Sequence, residues 1–169
     1  MNRTTLLLLV AAACSKESDT KATGTTSAKP AELAYAPLGD LGIAAEMPAG
    51  SIDSHRRNKA GTMTIEGNPE ILVQGQGPEW IADAAGVKAD IEKNMQAGKI
   101  TKQDVKDDGT FRIEYTFDAG EGAIHGFTIR KKVGDKFFDC GTKPWGKTTV
   151  TTEQLAAAMK ICDSLRAAK

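Results

Sequence analysis

Three cysteines, two histidines and a few short polar clusters are the residues of this 169-residue chain whose types could carry chemistry. His55 and His125 lie far apart in sequence, and neither has a neighbour at the H-x-x-x-H or H-x-E spacing that a zinc or metallohydrolase site requires. Ser51, Asp53 and His55 alternate on one extended segment, which gives them a common face but no nucleophile elbow and no oxyanion loop. Gly75-Gln76-Gly77 lacks the third glycine of a dinucleotide-binding turn, and Pro78 would remove one of its backbone donors. Asp107-Asp108-Gly109 is too short for a calcium loop and reads as a turn. Cys140 and Cys162 are too far apart for a C-x-x-C redox pair. No catalytic site, no metal site and no cofactor site emerges, so the chain reads as a non-enzyme.

Cys14 closes a different kind of pattern. The opening MNRTTLLLLVAAAC has one basic residue, Arg3, then an apolar run over 6–10 and three alanines before the cysteine. About 20 apolar residues are needed to span a bilayer as a helix, so this segment reads as a signal peptide, residues 1–13. Ala12-Ala13-Cys14 resembles the lipobox of bacterial lipoproteins, with Ala11 where that family has leucine. The resemblance implies that Cys14 is lipid-modified and becomes the mature N-terminus. Ala11-Ala12-Ala13 also fits an A-x-A site for ordinary secretory cleavage, which would release a soluble protein. Either way the chain is expected to be exported, to the cell envelope or beyond it. Residues 14–33 then form a tether: SKESDTKATGTTSAKPAE contains no large apolar side chain and cannot offset its chain entropy by burial. As a flexible coil it would reach roughly 20 to 25 Å.

Export changes the reading of the other two thiols, because disulfides persist outside a reducing cytosol. With Cys14 lipidated, Cys140 and Cys162 are left to pair, and a bridge closing that loop would contribute roughly 3 kcal/mol in the chain-entropy model. The competing reading is two buried free thiols acting as small apolar residues. The remaining chemical feature is the loop around Trp145, flanked by Lys143 and Lys147. A loop tryptophan between cations could contact a partner, or it could tuck under the last helix.

The elements that would hold these residues follow from periodicity. Alternation predicts strands over 41–47, 63–66 and 111–118, with 51–59, 71–74, 99–105, 124–132 and 137–141 as further strands. Pro78 suits a first helical turn, and Trp80, Ala84, Val87, Ile91 and Met95 recur at helical spacing, with Asp83, Asp90, Lys93 and Asn94 opposite. A last helix carries Leu155, Ala158, Met159, Cys162 and Leu165 on one stripe, and Thr151 with Gln154 offers a capping box at its start. Phe138 and Cys140 share a face of the strand before it. Residues 34–169 are therefore expected to form one α+β domain, an antiparallel sheet of about six or seven strands with a mid-chain and a C-terminal helix packed on it. Whether the helices take one face or both, as in an α/β/α sandwich, stays open at this point.

With 22 basic and 22 acidic residues the chain carries no net charge, which argues against a nucleic-acid partner. Arg56-Arg57 with Lys59, and Arg130-Lys131-Lys132, read as solvated strand ends. The order of elements, with LGIAAEMPAGS, PEILVQ, FRIEYTF and a hairpin leading to a helix ending ICDSL, resembles the PsbP-like fold. That fold occurs in an extrinsic photosystem II subunit, a Ran-binding nuclear import factor and bacterial lipoproteins. The resemblance implies helices on both sheet faces and a binding or assembly role. The expected function is thus a membrane-anchored envelope lipoprotein that binds an unknown envelope protein without catalysis. The alternative is a secreted soluble enzyme or small-ligand carrier.

Overall fold

The structure is a computed structural model that describes residues 33–48, 55–59, 61–67, 69–77, 80–118, 120, 122–143 and 150–169. All of these fall in one compact unit, Ala31–Lys169. The fold is α+β, and the described residues form two antiparallel sheets and two α-helices.

The larger sheet has seven strands. They are β3 (His55–Lys59), β4 (Thr62–Ile65), β5 (Ile71–Gly75), β6 (Lys99–Val105), β7 (Phe111–Asp118), β8 (Ala123–Val133) and β9 (Lys136–Thr142), in the spatial order β3-β4-β5-β9-β8-β7-β6. The alternation read from 111–118 holds in full: Phe111, Ile113, Tyr115 and Phe117 are buried and the residues between them are only partly so. After β5 the chain crosses through the mid-chain helix to the edge strand β6 and meanders back through β7 and β8; Gly134 and Asp135 then turn β8 into β9, which pairs with β5.

The sequence reading assigned every strand to one sheet. Instead β2 (Ile43–Pro48) pairs with β1 (Leu33–Pro37) and with the two-residue β10 (Arg166–Ala167), forming a separate three-stranded sheet. Two residues of strand give no periodic signal, so β10 was invisible in the sequence, and with it the partner that separates β2 from the large sheet.

Strand register shows which face each helix covers. Val73, Cys140 and Ile129 stand opposite one another on β5, β9 and β8. They share a core with Phe127, Phe138, Leu155, Ala158 and Cys162, and with Ala36, Ile43, Ala45 and Met47 of the small sheet. The helix α2 (Thr152–Asp163) lies on this face, against β8, β9 and β2. Phe111, Ile113, Tyr115 and Phe117 point the other way and form a second core with Val87 and Ile91 of α1 (Ala84–Asn94). The helices therefore cover opposite faces, as in an α/β/α sandwich, with the small sheet sharing the α2 layer.

Both helix starts follow from capping. At α2 the Thr151 hydroxyl accepts from the Gln154 N–H and the Gln154 carboxamide accepts from the Thr151 N–H, the box expected from the sequence. The mid-chain helix begins later than expected. The Asp83 carboxylate accepts the Gly86 N–H at 2.7 Å and so caps the first turn, which makes Asp83 the boundary and leaves Trp80 and Ile81 in the irregular lead-in. Pro78 lies outside the described residues.

Candidate functional site

The α2 face is closed by a covalent staple. Cys140 on β9 and Cys162 on α2 form a disulfide across Cα atoms 5.5 Å apart, with both residues fully buried. Their placement is as expected: Cys140 lies beside Phe138 on the inward face, and Cys162 on the buried stripe of its helix. At the far end of α2, Asp163 receives Arg112 at 2.6 and 2.7 Å, and the Asp163 carbonyl accepts from the Lys131 ammonium.

The opposite face holds a buried cation. Arg130 was read with Lys131 and Lys132 as a solvated strand end, but only 3% of it is exposed. Register explains the difference, because Phe111 and Asp139 stand on either side of Arg130 on the neighbouring strands. The guanidinium lies 4.0 Å from the Trp80 ring centroid and 4.6 Å from that of Phe111. It donates two hydrogen bonds of 2.7 Å to the Asp139 carboxylate, and others to the carbonyls of Ile81 and Ala82. A planar, five-donor cation between two aromatic rings thereby uses four of its donors and anchors the lead-in of α1 to the sheet. Burial raises the Asp139 carboxyl above the ordinary carboxylate range, against the opposing pull of Arg130.

Beside this lock is a cleft of about 190 Å³ between α1 and the sheet. Its floor is low because Gly141 lies between Leu72 and Thr128 on adjacent strands. A Cβ on Gly141 would come within 2.4 Å of the Phe127 carbonyl oxygen, so close strand packing demands glycine there. Gly126 has a related role: the Tyr115 ring lies across it, where a Cβ would meet ring carbons at 2.6 Å. Ile81, Val87 and Ile91 form the apolar wall, Met95 closes one side, and Asp90 of α1 also lines the space. The Tyr115 hydroxyl sits 3.4 Å from the Thr142 hydroxyl, which accepts the Phe127 N–H at 3.0 Å. Burial pushes the Tyr115 phenol above its ordinary value, so it stays neutral and serves as a hydrogen-bonding group.

The residues singled out from sequence are scattered. Cys14, Trp145 and Lys147 lie outside the described residues, as do Ser51 and Asp53. Lys143 is described, and its charge is met by Glu70 at 3.2 Å, while its N–H donates to the Glu70 carbonyl. His125 is exposed on β8 and pairs with Thr116, whereas Tyr115 pairs with Gly126. Adjacent register positions point to opposite faces, so His125 and Tyr115 do not line a common pocket. Asp107 to Gly109 form the expected turn, in which Asp108 accepts from both the N–H and the hydroxyl of Thr110. Among the described residues, no three His, Cys, Asp or Glu side chains gather as a metal site. The cleft was missed because its lining residues come from β5, α1, β7, β8, β9 and the flanks of α1, which leave no local motif.

No protein-family model matches this chain, and no curated protein was found to match it.

Proposed function

We propose that this chain is an exported protein, held to a membrane through lipid on Cys14, whose folded unit acts as a non-catalytic binding module in the cell envelope. The observation that carries this reading is the buried Cys140–Cys162 bridge. A disulfide of this kind persists outside the cytosol, and it leaves Cys14, at the end of an apolar leader, as the one cysteine available for lipid. The fold we infer is of the PsbP-like type, to which helices on both faces of an antiparallel sheet are compatible. The partner would be an envelope protein, with the Lys143, Trp145 and Lys147 loop as one contact surface.

Detergent phase partitioning of the full chain tests the anchor. The unaltered protein should enter the detergent phase and carry an acyl mass on Cys14, and Cys14→Ala should move it to the aqueous phase. Partitioning that survives Cys14→Ala removes the anchor from this reading. The cleft beside α1 favours a second reading, a carrier of a small ligand, and a ligand that co-purifies from the envelope fraction would support it.

A further inference from the structure

A single eleven-residue helix cannot roof a seven-stranded sheet. With strands about 4.8 Å apart and a helix about 10 Å across, α1 has width for roughly two strands. It takes β6 and β7. Across β9 and β5 the same face carries Gly141, Leu72 and Gln74 beyond the edge of the helix, and this strip, left uncovered by the described residues, forms the floor of the cleft. The space is therefore a consequence of architecture and is kept open by a glycine that backbone packing requires.

Its chemistry is uneven in a way that selects a ligand. The wall is aliphatic, from Ile81, Val87 and Ile91, with Leu72 on the floor, and the deeper polar groups are the neutral hydroxyls of Tyr115, Thr128 and Thr142. Among the described residues, no lysine, arginine or histidine lines it. Of its two carboxylates, Asp139 is neutralised by Arg130. Asp90 accepts a hydrogen bond from Asn94 and has no cationic partner among the described residues. One uncompensated negative charge at the edge of an apolar slot favours a compact cation with a hydrocarbon body. A cleft of about 190 Å³ suits a compact ligand rather than a drug-sized one.

We infer that the cleft between α1 and the sheet binds a small aliphatic ammonium compound, its cation on Asp90 and its hydrocarbon against Val87, Ile91 and Leu72. The inference rests on the binding-module reading for its context but not on the anchor, so it is tested on the full chain carrying Cys14→Ala. Amide resonances of that protein are followed during titration with pentylammonium, 1-pentanol and pentanoate. Pentylammonium should shift Tyr115, Thr128 and Gly141 saturably and bind about tenfold more tightly than the other two, the factor expected of a half-screened charge contact. Asp90→Asn should abolish that preference, and Lys88→Gln, on the exposed side of α1, should retain it. Thr128→Leu should fill the slot and remove binding of every probe. Equal affinity for the three probes, shifts confined to other regions, or a preference that survives Asp90→Asn would overturn the inference.

Discussion

The two faces of the seven-stranded sheet solve the same burial problem with different means. On the α2 face the layer above the sheet is wide, because the helix and the small sheet share one apolar core, and a disulfide fixes it in place. On the α1 face the cover is one short helix, the core is smaller, and a cation with its aromatic and carboxylate partners fixes the lead-in. The first face is a layer stapled by the disulfide, and the second leaves a cleft beside its helix. The larger apolar core and the covalent bridge thus lie on one face, and the buried cation and the cleft on the other.

This contrast can be broken from either side. Phe127→Ala, in the α2 core, should cost roughly 4 kcal/mol by cavity formation, read as a lower urea midpoint. Arg130→Met should cost about 3 kcal/mol, since it strands the Asp139 carboxylate and frees the Ile81 and Ala82 carbonyls. Its deficit should narrow as pH falls. Burial raises the folded Asp139 carboxyl and Arg130 pulls it back down, so loss of Arg130 raises it further, and the variant gains more stability than the parent protein as that carboxyl is protonated. A deficit that widens on acidification would show that Asp139 is not the stranded group.

Removal of the staple by Cys140→Ala with Cys162→Ala should cost roughly 3 kcal/mol and accelerate amide exchange in α2 more than in α1. Unchanged exchange in α2 would mean that apolar packing alone holds that face. The helix caps give the finest comparison. Thr151→Ala and Asp83→Ala should each cost about 1 kcal/mol, the first felt in α2 and the second in α1. Because α1 has the smaller core, Asp83→Ala should also perturb Val87 and Ile91, and with them the cleft.

Much of the scaffold was legible in the residues. FRIEYTF alternates so regularly that its buried face could be written down, and Thr151 with Gln154 marked the start of α2. The inward positions of Cys140 and Cys162 followed from strand and helix periods applied to neighbouring residues. Legibility ended where the deciding partner was distant in sequence. Helical spacing extended α1 back to Trp80, yet Trp80 is held in an irregular lead-in over Arg130. The charge run around Arg130 looked solvated because its partners, Asp139, Phe111 and Trp80, come from three other segments. The cleft had no sequence signal, since a glycine in a strand reads the same whether it eases packing or opens a floor.

What the sequence determined by itself was periodic and local: the strands with one buried face, the two helices, their polar sides, and the thiols that point inward. These depend on side-chain direction within a few residues, which the backbone period fixes. Tertiary structure decided which face each helix took, that β2 left the large sheet for a smaller one, that Arg130 became a core residue, and that a cleft remained beside α1. Each of these depends on strand register between distant segments and on how much sheet a helix of given width can cover, and neither quantity is carried by any short stretch of the chain.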